Sequence, residues 1–157
     1  LIEALVAEKQ VPLFVKLPPW PRDNENRDEI LKLADTAVDA GVDGLVIANT
    51  HPIESNLLQV GRGGLSGAPL FEHTELMIAD IQARVQGQAE IIACGGVSTA
   101  ENVWQLLATG ASAVQLYTSF IYEGPGLPAR INKRLVKLMD AEGITSVSEI
   151  SGPPPMI

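Results

Sequence analysis

The amino-acid sequence predicts an α/β protein built on a parallel sheet. Short apolar runs rich in β-branched residues alternate with helical stretches, and each helical stretch ends at a glycine. Four such strand–helix units follow one another, and helical crossovers of this length pair successive strands in parallel. Periodicity alone leaves open whether the strands form an open doubly wound sheet or part of a barrel.

The composition fits a globular chain and excludes several other classes. Of the 157 residues, 46% are hydrophobic, and 19 acidic against 11 basic residues give a net charge of -8. The apolar content excludes a disordered acidic tail, and no apolar run reaches the roughly 18 residues of a membrane span. The negative charge argues against a nucleic-acid partner. The single cysteine, Cys94, cannot form an internal disulfide, so we expect a reducing, cytoplasmic compartment.

The first unit and the segment before it contain one short strand and two helical stretches. Residues 1–9 have the pattern of the end of a helix, so we expect that further chain precedes them. A β-rich run over 13–17 predicts the first strand, and the proline-rich segment 18–21 predicts the loop after it. Asn26 and Glu29 have the spacing of a capping box at the start of a helix that ends at Gly41.

The second unit combines a strand over 44–48 with an unusually long connection, which we expect to be a loop from Asn49 to about Glu72. A loop of more than about 15 residues is more often functional than a simple link. The helix that follows ends at Gly87, and its predicted buried face consists of Leu76, Met77, Ile81 and Val85.

The third and fourth units have strands over 91–94 and 113–117. Gly95 and Gly96 follow the third strand, and Ser98 with Glu101 has the spacing of a second capping box. The helices of these units end at Gly110 and Gly143, and the proline-rich tail 151–155 is expected to be frayed or extended. Their predicted buried stripes are Val103, Leu106 and Leu107 in the third unit, and Ile131, Leu135, Leu138 and Met139 in the fourth.

Residues that could bind a ligand follow all four strands. In α/β folds the carboxyl ends of parallel strands gather the ligand-binding residues. A lysine at a strand end, here Lys16, is stabilised by an anionic or electron-rich ligand, although it could also reach solvent. These strand-end residues are Lys16, Asn49, Thr50, Gly95, Gly96, Tyr117 and Thr118.

Two glycine-containing segments add to this picture. The pair Gly95 and Gly96 before a helix start suits phosphate, because backbone N–H groups and the helix dipole can face the anion, although such pairs also make plain turns. Tyr117 and Thr118 one unit later strengthen the phosphate interpretation. The segment 63–67 within the long loop is flexible enough for a backbone that passes close to a flat ligand.

The remaining polar and aromatic candidates have simpler interpretations. His51 and His73 lack other ligands at metal-binding spacing, so we interpret them as loop residues. Cys94 is interpreted as a core residue, and Trp20 and Trp104 as packing residues. The acidic residues Asp23, Glu25, Asp28 and Glu29 are interpreted as favourable negative charge at a helix amino terminus.

At these strand ends the sequence resembles the carboxyl-terminal half of the dihydroorotate dehydrogenase family, most closely its quinone-linked class. The matching segments follow the order and spacing of the family over nearly the whole chain. Together they are specific, although no single segment would be. They are residues 15–19, 43–50, 63–70, 95–98 and 110–118.

The resemblance implies an FMN-containing (β/α)8 barrel in which residues 1–157, as a single domain, supply strands five to eight. It implies that Lys16 contacts the N1/O2 edge of the flavin, and that Asn49 and Thr50 bind dihydroorotate or orotate. The family usually has threonine where this chain has Ala48, which leaves a backbone contact to the cofactor possible. The other implied cofactor contacts are Ser66 and Gly67 along the flavin, and Gly95, Gly96, Tyr117 and Thr118 around the phosphate.

The family reaction transfers hydride from dihydroorotate to FMN while a serine or cysteine base removes a proton, and a quinone or another acceptor then takes the electrons. The base belongs to the amino-terminal half of the family, so no residue of this chain is assigned a catalytic role and we expect no turnover by the chain alone. Membrane association of the intact protein would also depend on an amino-terminal segment. The alternatives are a non-catalytic flavin- or phosphate-binding half-barrel and another FMN- or phosphate-binding barrel enzyme.

A half-barrel would leave one sheet face uncovered. Strand alternation counted from Lys16 and from Asn49 predicts that Phe14, Leu45 and Ile47 lie on this interior face. We therefore expect a homo-oligomer, or the amino-terminal half of the barrel, to cover it.

Overall fold

A computed structural model describes residues 1–20 and 26–156 of the chain. Two 3-10 turns, Ala68–Leu70 and Val147–Glu149, accompany the regular elements. In chain order these elements are α1 (Ile2–Glu8), β1 (Phe14–Lys16), α2 (Arg27–Asp39), β2 (Gly44–Ile47), β3 (His51–Glu54), β4 (Arg62–Leu65), α3 (Phe71–Val85), β5 (Glu90–Cys94), α4 (Ala100–Thr109), β6 (Ala113–Gln115), α5 (Thr118–Glu123) and α6 (Leu127–Glu142).

The main sheet contains four parallel strands in the order β1-β2-β5-β6, which confirms the predicted α/β class. Each new strand is added beside the previous one, so the strand order follows the chain order. The strands β3 and β4 form a separate antiparallel hairpin. Because all four main strands point the same way, their carboxyl ends meet along one edge of the sheet.

The two faces of the main sheet differ in burial. Leu45, Ile47 and Ile91 are at most 1% exposed and belong to the hydrophobic core formed with the helices. On the opposite face, Phe14 is 38% exposed, and Lys16 is also exposed. The helices therefore cover one face of the sheet and leave the other open.

The prediction that Leu45 and Ile47 lie on the open face is wrong. The register pairs Phe14 with Gly44 and Val15 with Leu45, so Leu45 and Ile47 share the helix-covered face with Val15. Counting from Asn49 gave the wrong parity because the strand ends at Ile47, and the alternation of side chains does not continue beyond it. Phe14 does lie on the open face, beside Gly44, where an added Cβ would meet its ring at 2.3 Å.

Most of the predicted apolar stripes form the core beneath the sheet. All four predicted residues of α6 are buried, as are Trp20 and Trp104. In α3 the prediction was partly wrong, because Leu76 is 63% exposed whereas Ile78 is fully buried. The buried residues Met77, Ile78, Ile81 and Val85 follow the i, i+1, i+4, i+8 spacing of one helix face, and Leu76 lies to one side of it. Leu107 of α4 is only half-buried.

Neither predicted capping box forms as expected. Asn26 adopts a left-handed backbone with φ of 59° and makes no side-chain cap. At α4 the box is shifted by one residue, because the Thr99 hydroxyl accepts from the backbone N–H of Asn102 at 3.1 Å and Asn102 Oδ1 accepts from the backbone N–H of Thr99. Glu101 instead pairs with Arg134 at 2.9 Å, which ties α4 to α6. The backbone hydrogen bond of Glu101, and after it the bond from Arg134, lowers the pKa of its carboxyl group.

The acidic residues predicted at the start of α2 divide into two groups. Asp28 and Glu29 lie in its first turn, where negative charge favours the helix dipole. Asp23 and Glu25, and Pro21 of the predicted proline-rich loop, lie outside the described residues.

Asp43 joins the amino-terminal segment to the sheet. Its Oδ2 accepts from Lys9 Nζ at 2.8 Å and from the backbone N–H of Leu13 at 2.7 Å. These two hydrogen bonds, chiefly the one from Lys9, lower the pKa of Asp43. The helix α1, predicted from residues 1–9, is thereby held at the amino-terminal edge of the sheet.

Two further segments differ from the sequence prediction. The long connection is not a plain loop, since it contains the β3–β4 hairpin. The helix α5 follows β6 directly and was not predicted. Residues 151–155 form no helix, as predicted, and the tail is held against the protein because Trp104 Nε1 donates to the carbonyl of Gly152 at 3.1 Å and Ile150 is buried.

Candidate functional site

The carboxyl edge of the main sheet opens into a cavity of about 460 Å³. All ten residues singled out from the sequence line it, although they are spread over more than a hundred positions of the chain. The parallel strands bring these residues together, since their carboxyl ends share one edge. These ten are Lys16, Ala48, Asn49, Thr50, Ser66, Gly67, Gly95, Gly96, Tyr117 and Thr118.

Lys16 supplies positive charge to the cavity. It is the one Lys, Arg, Asp or Glu among the described residues that line the cavity, in a chain with a net charge of -8. Its Nζ donates to Cys94 Sγ at 3.5 Å. An isolated ammonium group beside apolar and hydroxyl-bearing side chains suits an anionic or electron-rich ligand.

Cys94 is a lining residue rather than the plain core residue expected from the sequence. It ends β5, is half-buried and faces the cavity from the same side of the sheet as Lys16. Alternation along β5 could have revealed this, because Ile91 and Ala93 face the helices and leave Cys94 on the other side.

Asn49 and Thr50 lie between β2 and the hairpin and form part of the rim of the cavity. The side-chain oxygen of Asn49 accepts from the backbone N–H of Thr50 at 2.8 Å, which leaves the Asn49 amide NH₂ available to a ligand. Across the hairpin, a Cβ added to Gly64 would lie 2.5 Å from Thr50 Oγ1, so a glycine is needed for this close approach. The hairpin thus brings Ser66 back to the same rim as Thr50.

The opposite end of the cavity is formed by the loop after β5 and the start of α5. Gly96 has φ of +76°, and an added Cβ would lie 2.3 Å from the backbone nitrogen of Phe71. Its missing side chain therefore allows the loop to pack directly on the start of α3. Thr118 approaches Gly67, whose added Cβ would lie 3.1 Å from Thr118 Cγ2. This arrangement of glycine backbone and hydroxyl groups suits the phosphate of a ligand.

The sequence prediction missed part of the cavity wall. Ser119 lies beside Thr118 on α5, and its hydroxyl donates to the carbonyl of Val97 at 2.5 Å, which fixes α5 against the loop after β5. The residues of α5 were missed because this helix has only six residues, too few to show a helical period. The residues that were missed are Leu70, Cys94, Val97, Leu116, Ser119, Ile121 and Tyr122.

His51 and His73 lie behind the cavity rather than in a loop. Their rings meet edge-to-face with centroids 4.4 Å apart, and both side chains are buried. His73 Nε2 donates to the carbonyl of Trp20 at 2.8 Å. The interpretation of the two histidines as loop residues is therefore wrong, because β3 and α3 place them in a packed layer that supports the hairpin.

Neither a metal-binding cluster nor a membrane-spanning helix occurs among the described residues. No cluster of three or more histidine, cysteine, aspartate or glutamate side chains there could hold a metal ion. Among the described helices, none combines the length and the apolar character that crossing a membrane requires.

Comparison with known proteins relates the chain to one family. The family model for dihydroorotate dehydrogenase matches residues 1–139. A protein from Allorhizobium ampelinum named dihydroorotate dehydrogenase (quinone) is 40% identical over 152 residues, which cover 94% of this chain and 41% of the relative. The mitochondrial dihydroorotate dehydrogenase (quinone) of Arabidopsis thaliana is 37% identical over 146 residues, covering 90% of this chain and 31% of the relative.

A solved structure gives the same relation. The ligand-free type of the DHODH from Eimeria tenella is similar with a TM-score of 0.76 and 36% identity, over 92% of this chain and 40% of that chain. The chain thus spans less than half of the length of the relatives it matches.

Proposed function

The chain belongs to the dihydroorotate dehydrogenase family, and from this premise we propose that it forms the cofactor- and substrate-binding part of an FMN-dependent enzyme. The reaction is the oxidation of dihydroorotate to orotate in pyrimidine biosynthesis. The observation that carries the proposal is the cavity at the carboxyl edge of the sheet, with Lys16 as the charged lining residue and the Gly95–Gly96 loop beside α5.

The residues present fit FMN. The cavity volume of about 460 Å³ lies within the usual range for cofactor and ligand pockets. The close packing of Gly96 on Phe71 leaves a bare backbone turn for the phosphate, with the hydroxyl groups of Thr118 and Ser119 nearby. FMN, when bound, supplies the hydride acceptor that the amino-acid side chains lack.

Lys16 holds a positive charge where negative charge develops during the reaction. Its ammonium group lies at the end of β1 against Cys94 Sγ, so it enters the cavity from the sheet. A fixed cation of this kind lowers the energy of a transition state that gains electrons. Ser66 and Gly67 line the same cavity from the side of the hairpin.

Asn49 and Thr50 bind and orient the pyrimidine. With its oxygen held by the backbone N–H of Thr50, the Asn49 side chain presents its amide donors to a carbonyl or carboxylate. The Thr50 hydroxyl can donate or accept, which matches the mixed pattern of a pyrimidine ring. The proton-abstracting base is supplied from outside this chain, and a quinone is the electron acceptor, as in the names of the relatives.

The fold contributes the second half of a (β/α)8 barrel to this enzyme. Strands added in chain order with helices on one face have the arrangement of a barrel, because an open doubly wound sheet reverses its strand order and places helices on both faces. Residues 1–157 then act as a single domain, and the open face carrying Phe14 is covered by the other half of the barrel or by a second copy of the chain.

Titration with FMN tests the proposed site. We expect saturable quenching of flavin fluorescence by the chain, and about a tenfold or larger loss of affinity in Lys16→Met, since a hydrogen bond to a charged group contributes about 1.5–3 kcal/mol. Lys137→Met is the matched control, because Lys137 is exposed on α6 and does not line the cavity. Equal affinity of Lys16→Met and wild type would refute the role of Lys16, and no binding by wild type would refute the site.

An activity assay tests whether the chain depends on a proton-abstracting base from outside it. Reduction of a soluble quinone by dihydroorotate is expected to be undetectable with the chain and FMN alone, because the base is supplied from elsewhere. Turnover by the purified chain would show that one of its own side chains removes the proton.

A further inference from the structure

Lys16 and Cys94 meet in the cavity although their strands are not neighbours. Lys16 ends β1 and Cys94 ends β5, and β2 lies between these two strands in the sheet. Because adjacent strands lie about 4.8 Å apart, the backbones of β1 and β5 are about 10 Å apart across the sheet. The Lys16 side chain extends over β2 and brings its Nζ within 3.5 Å of Cys94 Sγ.

The register of the strands explains how this contact forms. Lys16 pairs with Val46 on β2, and Val46 pairs with Ile92 on β5, so these three side chains share the open face of the sheet. Cys94 lies two residues beyond Ile92 and therefore points to the same face. Val46 is only 9% exposed on this otherwise open face, as expected for a residue that the lysine side chain crosses. Cys94 thus contacts the far end of a side chain that lies along the sheet.

The thiol restrains the Lys16 ammonium group without neutralising it. Among the described residues, no Asp or Glu lines the cavity, and Cys94 Sγ is the one hydrogen-bond acceptor of Lys16 Nζ. A thiol sulfur is a weak, uncharged acceptor, and an ammonium group has three donors, so two N–H groups stay available to a ligand. A carboxylate in place of the thiol would offset the positive charge that attracts an anionic ligand. An aliphatic side chain there would leave the ammonium group unrestrained.

Such a restraint favours ligand binding by a lysine. The flexible lysine side chain has a large rotamer entropy, and a ligand that immobilises it must overcome the loss of that entropy. Lys16 is an exposed residue, so without the contact to Cys94 its ammonium group can also turn toward solvent. A side chain already directed into the cavity loses less entropy when a ligand binds, and the affinity for that ligand is higher.

We propose that Cys94 is a positioning residue, which holds the Lys16 ammonium group in the cavity, ready for an anionic or electron-rich ligand. The inference rests on the proposed function for the identity of that ligand, FMN. The hydrogen bond itself is present in the chain without flavin, so it can be tested separately. Cys94 acts through Lys16, and the proposal assigns the thiol no chemical step of its own.

Flavin titration of Cys94→Ser and Cys94→Ala tests the consequence for binding, with circular dichroism to confirm that each variant is folded. The two variants differ by one oxygen atom, which gives Cys94→Ser a hydrogen-bond acceptor that Cys94→Ala lacks. We expect Cys94→Ser to bind FMN within about twofold of wild type and Cys94→Ala to bind about threefold to tenfold more weakly, because a hydrogen bond from a charged donor is lost. In a Lys16→Met background the two variants should bind equally, because the acceptor acts through Lys16. Equal affinity of the two variants with Lys16 present, or an unchanged difference in Lys16→Met, would overturn the proposal.

A nuclear magnetic resonance measurement without flavin separates this proposal from the proposed function. The ¹⁵N–¹H signal of the Lys16 ammonium group is identified by its absence in Lys16→Met, and exposed Lys137 on α6 is the internal reference. Wild type and Cys94→Ser are expected to show slower proton exchange with water at Lys16 than at Lys137, and Cys94→Ala equal exchange at both, because a hydrogen bond protects the donor. Equal exchange at Lys16 in wild type and Cys94→Ala would overturn the proposal. Protection that depends on Cys94, in a chain that fails to bind FMN, would refute the flavin site and still support the positioning of Lys16.

Discussion

Replacing Gly96 by alanine tests the packing that shapes the candidate phosphate end of the cavity. Gly96 has φ of +76°, and Gly87, at the end of α3, has φ of +80°, so alanine is strained by about 1–2 kcal/mol at either position. The two sites differ in space. An added Cβ at Gly96 would lie 2.3 Å from the nitrogen of Phe71 and 2.4 Å from its Cα, whereas nothing lies within 4 Å of one at Gly87.

The magnitude follows from this difference. Carbon contacts are comfortable at about 3.5–4.0 Å, so the backbone at the start of α3 must move by about 1 Å to accept Gly96→Ala. Forcing extra atoms into a packed region costs about 1–3 kcal/mol. We therefore expect a loss of unfolding free energy of about 1–2 kcal/mol for Gly87→Ala and about 2–5 kcal/mol for Gly96→Ala.

Urea unfolding followed by circular dichroism measures both values, with Gly87→Ala as the matched control for backbone strain. Flavin titration of Gly96→Ala under native conditions is expected to show weakened binding as well, because the loop after β5 is displaced. If the two variants differ by less than about 0.5 kcal/mol, a typical effect of a harmless surface substitution, the close packing of Gly96 on Phe71 is not present in solution.

Three further predictions concern the scaffold. Leu45→Ala should lower the free energy of unfolding by about 2–5 kcal/mol in urea titrations, since Leu45 is 0% exposed, whereas Leu76→Ala, at a 63% exposed site, should change it by less than about 0.5 kcal/mol. Trp104→Phe should cost about 1–3 kcal/mol in the same assay and speed proteolysis of the tail, because the indole N–H no longer holds a tail carbonyl; unchanged proteolysis would contradict this. Asp43 has a pKa below its unfolded value, so its stabilising contribution is present above about pH 4 and is lost as the pH falls through the folded pKa. Asp43→Asn should therefore flatten the loss of stability below about pH 4, and a variant as acid-sensitive as wild type would show that the bond to Lys9 is not formed.

The parts of the fold that could be predicted are those coded by local patterns. The apolar runs that became β1, β2, β5 and β6 were visible, as were glycine stops such as Gly143, whose φ of 69° ends α6. The hairpin was not predicted because its strands, His51–Glu54 and Arg62–Leu65, contain a proline and two glycines, which are poor strand formers. Their pairing depends on the packing of His51 against α3, which local propensity does not describe.

The candidate site shows the same division. The topology of a parallel sheet was enough to predict that Lys16, Asn49, Gly95 and Thr118 would converge, because strand ends share an edge. The contact between Lys16 and Cys94 was not predicted, since it joins residues 78 positions apart and depends on the register of three strands. Leu45 and Ile47 were assigned to the wrong face of the sheet because the alternation of side chains was counted from Asn49, beyond the end of β2.

The most direct test of the central claim, one FMN site at the carboxyl edge of the sheet, is a titration of the ¹⁵N-labelled chain with FMN followed by amide chemical shifts. We expect saturable shifts at Gly67, Gly96 and Thr118, which line one cavity, and none along the outer surface of α2. The absence of shifts, or shifts that map away from the cavity, would contradict it.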